Sequence, residues 1–417
     1  VAFLTAEYPP QPGGVGDYTR CLARSLTLAG HRVTVITSRP PSTPSDSDTE
    51  PFTVLREAIS SWGWRCWSET IAALERLRPD ILHIQYQTGA YGMHPAVNLL
   101  PWRLRSLAGC PRLAVTFHDL REPYLFPKAA PLRRWITRRL ASDCDLVVST
   151  NAEDTATLHR DGIAACHIPI GSNIGVAPPP GYEREKWREH LGVRPGETLV
   201  ASFGLLSHNK GGDLLLEALD ELDQESQQTR QERPASPPPN FFLLLIGGVT
   251  TSPHDRAYAD RFFATLQQFP WRERVLITGY VDEATVSAHL LAADCVALPF
   301  RDGASFRSGS LLAALSHGAA VVTTQAPGGQ GLEGGKAGAK LVDGEHALLV
   351  PPNDRRSLAN ALRRLARDPA LRERLSRGGQ QAASLFTWDA IARQHERQYH
   401  RLRQDGGSSR RTGNRAP

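Results

Sequence analysis

Four short stretches of this chain carry residues that could hold a ligand. In the first, an apolar run from Thr198 to Phe203 ends in Gly204. A polar turn follows, and Lys210-Gly211-Gly212 stands just before a helical pattern that opens at Asp213. A lone cation at the mouth of a helix can neutralise an anion while free backbone N–H groups point at it. In the second, Arg307 precedes Ser308-Gly309-Ser310, a turn that opens another helix and makes an anion cradle of the same kind. The third is His118-Asp119, at the carboxyl end of the apolar run Leu113 to Phe117. A lone histidine is more often structural, but the carboxyl end of a strand is where an open α/β sheet binds ligands. The fourth is Gly13-Gly14-Val15-Gly16-Asp17. It lacks the G-x-G-x-x-G spacing, and Ser38 and Arg39 stand where a dinucleotide site would place an acid, which argues against an NAD enzyme. Two blander readings stay open: a surface lysine on a loop, and glycines needed only for a tight turn.

The elements around these stretches alternate strand and helix. Val1 to Thr5 reads as a strand, and Val15, Tyr18, Leu22, Leu26 and Ala29 as one face of a helix. Arg32 to Thr37 follows as the next strand. Further strands are expected at 52–56, 80–85, 113–117, 146–149 and 167–170, with Asn151 capping a helix. The stretch 62–78 is expected to be helical, with Trp64 and Trp67 in the core. After the Pro-rich linker 177–181, a second series places strands at 198–203, 241–246, 275–280, 295–299 and 319–324. Two α/β domains with doubly wound parallel sheets are therefore predicted. The polar loop 40–50 and the Gln/Arg/Pro-rich run 224–240 have no apolar face. The latter is expected to be a disordered insertion, and 405–417 a disordered tail.

Composition narrows the class. The chain has 417 residues, 41% of them apolar, and a formal net charge of +5, which suits anionic small ligands and does not single out nucleic acid. Six cysteines are scattered without metal or redox spacing, and residue 1 already reads as strand. A cytoplasmic protein without signal peptide, membrane span, metal or other cofactor is the expectation. The helix 131–141 clusters Arg133, Arg134, Arg138 and Arg139 beside Trp135 and Ile136. It is a candidate peripheral contact with anionic lipid at the inner membrane face, against the plainer reading of a solvated helix.

Three motifs, GGVGDYTR, the FHD segment and NKGGD, together resemble the family 4 glycosyltransferases, the retaining GT-B enzymes, over about residues 1–400. The resemblance implies two Rossmann-like domains facing across a cleft. Residues 1–176 would form the acceptor side and 182–385 the nucleotide-sugar side, with 386–404 a helix returning to the N-terminal domain. It implies His118 and Lys210 as catalytic groups, and the cradle at 308–310 adds Arg307 to them. Donor-binding positions would be Gly13, Gly14, Gly204, Lys210, Gly211, Tyr280, Val281, Asp302, Ser308, Gly309 and Ser310. Acceptor-binding positions would be Asp17, Gln85, Gln87 and Tyr91, with no metal. The partners implied are a nucleotide-diphosphate sugar and a hydroxyl acceptor, joined with retention.

The chain departs from the family in two places. Leu205 and Leu206 stand where an arginine usually follows the central glycine, and Arg307 is its candidate stand-in. The family's pair of glutamates, eight positions apart, falls on Ser305 and Ala313. Asp302 replaces the first only in a longer loop, and nothing obvious replaces the second. Two alternatives therefore stay open on the same fold: a sugar phosphorylase or phospho-sugar synthase, and a degenerate sugar-nucleotide-binding protein without turnover.

Overall fold

Strand Ile81–Tyr86 is buried along its whole length, as expected of a parallel sheet covered on both faces. In the computed structural model the first sheet contains β1 (Ala2–Leu4), β2 (Thr34–Ser38), β3 (Thr53–Ile59), β4 (Ile81–Tyr86), β5 (Arg112–Phe117), β6 (Leu146–Ser149) and β7 (Cys166–His167). All neighbours pair parallel, in the order β3-β2-β1-β4-β5-β6-β7. The order reverses between β1 and β4, which makes their carboxyl ends the ligand-binding switch point. The structure describes residues 1–11, 13–38, 50–120, 130–232, 240–248, 253–326, 332–333 and 340–412. The expected loop 40–50 lies outside them except for Glu50.

Helices cover both faces of this sheet. On one side lie α1 (Gly14–Leu28) and the last helix of the chain, which together bury Leu22, Leu26, Ile391 and Tyr399 against Phe3, Val35 and Val148. On the other, α2 (Cys66–Leu77), α3 (Ala96–Arg105) and α4 (Ala130–Ser142) bury Leu74, Leu100 and Leu140 against Leu4, Ile84 and Val115. Helix α5 (Ala152–Arg160) starts at Asn151, whose side chain accepts from the Asp154 amide.

The second sheet repeats the plan. Strands β8 (Glu197–Phe203), β9 (Asn240–Ile246), β10 (Val275–Ile277), β11 (Cys295–Leu298) and β12 (Val321–Thr324) precede a small antiparallel pair, β13 (Leu332–Glu333) and β14 (Lys340–Leu341), and then β15 (Leu348–Val350). The sheet order is β10-β9-β8-β11-β12-β15, all parallel. Its helices are α6 (Arg184–His190), α7 (Gly212–Glu232), α8 (Pro253–Leu266), α9 (Glu283–Ala292), α10 (Gly309–Ser316), α11 (Arg355–Arg367) and α12 (Pro369–Ala383). Helix α7 buries Leu214, Leu215, Ala218, Leu219 and Leu222 in the core of this unit.

Val1–Gly171 and Phe386–Pro417 belong to one compact unit, Ser172–Gly334 and Gly338–Leu385 to the other. The first unit thus ends at Gly171, not at residue 176, and the Pro-rich run 177–181 is part of the second. There the Ala177 amide donates to Ser287 Oγ at 3.0 Å. Helix α13 (Trp388–Thr412) packs on α1, and Glu396 accepts from His31 at 2.8 Å.

Three expectations need correction. The run 224–240 is not wholly a disordered insertion: α7 continues to Glu232, Ser226 is buried and Glu225 pairs with Arg363. Residues 233–239 lie outside the described ones. Helix α13 likewise runs to Thr412, so the expected tail 405–417 is helical over most of its length, and 413–417 fall outside the description. Trp64 precedes α2 and is half-exposed, because it packs edge-on at the surface against Trp67 and His94. Among the described residues no helix is long and apolar enough to cross a membrane.

Candidate functional site

Strand β8 delivers the chain to Gly204 at the rim of the second sheet. The turn is tied to the end of β9, since the Gly204 amide donates to Ile246 O at 2.9 Å and the Leu206 amide to Gly248 O at 3.0 Å. A single 3-10 turn, His208–Lys210, leads to Gly211 at φ 66°. A Cβ at Gly211 would lie 2.2 Å from the Pro299 carbonyl oxygen. Only glycine fits there, and its small size lets the turn lie on the end of β11. The loop after β11 is fastened to the same turn. The Arg301 amide donates to Asn209 O at 2.9 Å, and its guanidinium donates to Asp213, in the first turn of α7, at 2.7 Å. Tyr258 donates to the other Asp213 oxygen at 2.8 Å.

These restraints place Lys210. Its ammonium donates to Ser310 Oγ at 3.1 Å and stands 4.7 Å from the centre of the Phe300 ring. Ser308 caps α10, accepting from the Leu311 amide, and its Oγ lies 3.0 Å from Ser310 Oγ. A Cβ at Gly204 would lie 3.5 Å from Lys210 Cε and 3.9 Å from Ser310 Oγ, so the β8 glycine borders the same spot. Lys210 is half-buried, desolvation lowers its pKa, and among the described residues no carboxylate pairs with it. A bound anion would offset that desolvation. Ammonium, two hydroxyls and the free amides of an α-helix thus converge, as an oxyanion requires.

The other donor-side positions are looser. Tyr280 is 94% exposed and Val281 half-buried, both just beyond β10, which ends at Ile277. A bridge between Gly247 and Gly279 replaces the expected strand end. Asp302, Arg307 and Gly309 are exposed, and the Arg307 amide donates to Ser305 Oγ at 3.2 Å. Ala313 is fully buried inside α10, its carbonyl oxygen accepting from His317 Nδ1 at 2.7 Å.

In the first unit, His118 follows β5 directly, and its amide donates to Tyr86 O at 3.0 Å. Its ring packs edge-on to Tyr18 of α1, with centroids 4.7 Å apart. Its Nε2 lies 3.0 Å from Oε1 of Gln85, on the adjacent strand. The ring keeps some solvent access, yet burial pushes its pKa down to about 3, so the imidazole is neutral. Behind it, His83 and His395 are fully buried. His83 bridges Tyr399 OH (2.6 Å) and Thr116 Oγ1 (2.8 Å), and His395 meets Tyr18 OH at 2.9 Å.

Two of the acceptor-side expectations fall on buried side chains. Tyr91 is a core residue: its hydroxyl donates to Gln85 O at 3.0 Å and its ring packs on Trp62. Gln85 has no exposed surface and reaches His118 instead of a ligand. Gln87 is half-buried and donates to Asp119 at 3.2 Å, while Asp17 lies 3.8 Å from Arg20 within α1. The glycine turn before α1 holds a residue that sequence reasoning passed over. Glu7 accepts from the Val15 amide, and a Cβ at Gly13 would lie 2.3 Å from its carboxylate. One amide of that turn is therefore already taken by a carboxylate, and desolvation raises the Glu7 pKa. Gly14 beside it is exposed.

In α4, Arg134 and Arg138 pair with Asp161 and Arg139 with Asp143, while Trp135 stays half-exposed. The Arg133 side chain lies outside the description. Among the described residues no group of three or more His, Cys, Asp or Glu side chains could hold a metal.

Residues 13–171 match the glycosyl transferase 4-like domain, and residues 197–368 match glycosyl transferases group 1. A D-inositol 3-phosphate glycosyltransferase of Xylanimonas cellulosilytica is 28% identical over 60% of this chain and 55% of its own length. A mannosylfructose-phosphate synthase of Agrobacterium fabrum is 26% identical over 60% and 52%. The chain thus spans little more than half the length of these relatives. Among solved structures, sucrose-phosphate synthase of Thermosynechococcus elongatus superposes with a TM-score of 0.68 at 22% identity, covering 97% of this chain and 99% of that one. HepE of Anabaena in complex with UDP-glucose gives 0.65 at 17%, covering 98% and 99%. Both sheets have the Rossmann-like order of the GT-B fold, and the two domain matches together take in most of the sequence. The chain belongs to the GT-B glycosyltransferases, with a glycosyl transferase 4-like domain in its first unit and a group 1 domain in its second.

Proposed function

We propose that this chain transfers a sugar from a nucleotide-diphosphate sugar to a hydroxyl acceptor with retention of configuration, without a metal or other cofactor. The observation that carries the reading is Lys210, a half-buried ammonium held by Ser310 at the N-terminus of α10 with no carboxylate beside it among the described residues. In such a transfer the sugar becomes oxocarbenium-like as the diphosphate leaves. Catalysis then rests on stabilising the departing charge, the task of Lys210, the Ser308–Ser310 hydroxyls and the α10 amides. The first unit contributes His118 and the loop after β4 to substrate recognition. A neutral imidazole suits hydrogen bonding to a hydroxyl, not proton donation. Support for the donor class comes from HepE, which was solved with UDP-glucose. Peripheral contact with a membrane has less behind it, since three of the four α4 arginines are engaged within the chain.

The test is titration calorimetry with UDP and UDP-glucose. A charge-assisted hydrogen bond is worth about 1.5–3 kcal/mol, so Lys210→Ala should weaken UDP binding by roughly 10- to 150-fold. Unchanged affinity in a folded variant removes Lys210 from the site. The reading without turnover rests on Ser305 and Ala313. UDP-glucose that binds and is never cleaved, with any acceptor offered, decides for it.

A further inference from the structure

Gln85 has no exposed surface, and it lies on a strand whose every residue is buried. An amide placed there must find partners or cost stability. Its Oε1 faces His118 Nε2 at 3.0 Å, and its Nε2 is buried without a partner. With the amide in this orientation its oxygen accepts, so the imidazole presents N–H at Nε2. A neutral imidazole with its proton on Nε2 carries a lone pair on Nδ1. Among the described residues Nδ1 has no hydrogen-bond partner.

Two more contacts keep this arrangement in register. The His118 amide is bonded to Tyr86 O, and the Gln85 carbonyl oxygen accepts from Tyr91 OH. The backbone at both ends of the Gln85–His118 pair is thus fixed, and Tyr18 packs edge-on against the imidazole. Simple filling of this position would be served by leucine or methionine at no hydrogen-bonding cost. The glutamine accepts the burial of an unpaired N–H₂ group and in return determines which imidazole nitrogen carries the proton.

We propose that Gln85 is a positioning residue, which holds His118 as the Nε2–H tautomer and so presents Nδ1 as a hydrogen-bond acceptor for a substrate hydroxyl at the rim of the first sheet. The destination of that lone pair rests on the reading given under Proposed function, whereas the tautomer itself does not. The experiment is long-range ¹H–¹⁵N correlation of the full chain labelled at histidine, with the His118 ring assigned by its loss in His118→Phe. The expected result at pH 7.5 is the Nε2–H pattern, with Nδ1 in the unprotonated range. In Gln85→Leu and Gln85→Met a mixture of tautomers should appear, and in Gln85→Glu the Nε2–H form should return, because a carboxylate also accepts. A wild-type ring found as Nδ1–H overturns the proposal without any variant. So does a ring whose tautomer is the same in folded Gln85→Leu and Gln85→Met as in wild type. Where UDP-glucose turnover is measurable, Gln85→Met should lower kcat/KM about tenfold, the worth of one hydrogen bond, with partial rescue in Gln85→Glu. Absence of turnover in the wild type counts against the transferase reading and leaves the tautomer result standing.

Discussion

Acid should destabilise the first unit through its buried histidines, His83 and His395 foremost, with His118 and His167 lowered beside them. His83 and His395 have no exposed surface, and each is held neutral by burial. His395 is pushed down to about 3 and His83 well below its ordinary value; the His118 ring adds to both, and the His395 ring adds to His83. Tyr18, Tyr399 and Thr116 supply neutral hydrogen-bond partners, and among the described residues no carboxylate contacts either ring. In the unfolded chain both histidines take up a proton near pH 6.5. Their folded values are depressed, so stability is full above about 6.5 and is lost as pH falls toward the folded values. Each group then costs about 1.4 kcal/mol per pH unit, or about 2.7 kcal/mol for the pair. That is a large share of the roughly 5–15 kcal/mol that holds a domain together. The assay is urea unfolding at pH 7.5, 6.5, 5.5 and 5.0, beside His395→Phe. The wild-type midpoint should fall steadily below pH 6.5, and the variant should lose about a third of that slope or less, since His118 is depressed in the same way and His167 is lowered too. A midpoint flat from pH 7.5 to 5.0, or an equal slope in the variant, refutes the burial argument.

Gly211→Ala should be among the most damaging single changes in the second unit, because φ is 66° and the new Cβ would meet the Pro299 carbonyl oxygen at 2.2 Å. A loss of about 1–3 kcal/mol from the backbone strain alone, read by urea unfolding, should accompany loss of UDP binding; wild-type stability would mean the turn can move off β11. Replacing residues 224–232 by a Gly/Ser linker of equal length removes the buried Ser226 and the Glu225–Arg363 pair. The melting temperature should drop by several degrees, at about 2–4 °C per kcal/mol for a unit of this size, and an unchanged value would show that this end of α7 contributes no packing.

The Lys210 turn was legible in the sequence because local chemistry alone dictates it. An apolar run, glycines at 204 and 211, and Leu214, Leu215, Ala218 and Leu219 at helical spacing leave few other structures open. The burial of Gln85 and Tyr91 was not legible. A strand covered on both faces has no polar side to mark, so Gln85 reads like a rim residue when it lies inside. Its partner His118 is 33 residues away, and His83 and Tyr399, which share a hydrogen bond, are 316 apart. The continuation of α7 did carry a signal that polarity masked. Asp220 with Gln224 and Asp223 with Gln227 stand at i, i+4, and both glutamines donate to those aspartates at 2.6 and 2.7 Å.

The departures from the family fall on both ends of the expected donor, but the phosphate end keeps its lysine. A carboxylate close to Lys210 would neutralise it and compete with phosphate for it. Instead Asp213, the acid nearest in sequence, is tied to Arg301 and Tyr258, and the ammonium is left with serine hydroxyls that orient it without cancelling its charge. The phosphate end thus keeps an uncancelled ammonium, while Leu205 and Leu206 leave it without the family's arginine and Arg307 is exposed. At the other end the second glutamate's place is taken by Ala313, fully buried in α10 where no polar atom of its side chain could reach a ligand. The exposed Asp302 is the remaining carboxylate of that rim loop. If the proposed function holds, such a site draws its affinity from charge at the diphosphate, and it should discriminate nucleotides by their phosphates before their ribose. On the proposed reading, Lys210, and not any carboxylate of the α10 segment, is the residue on which recognition turns.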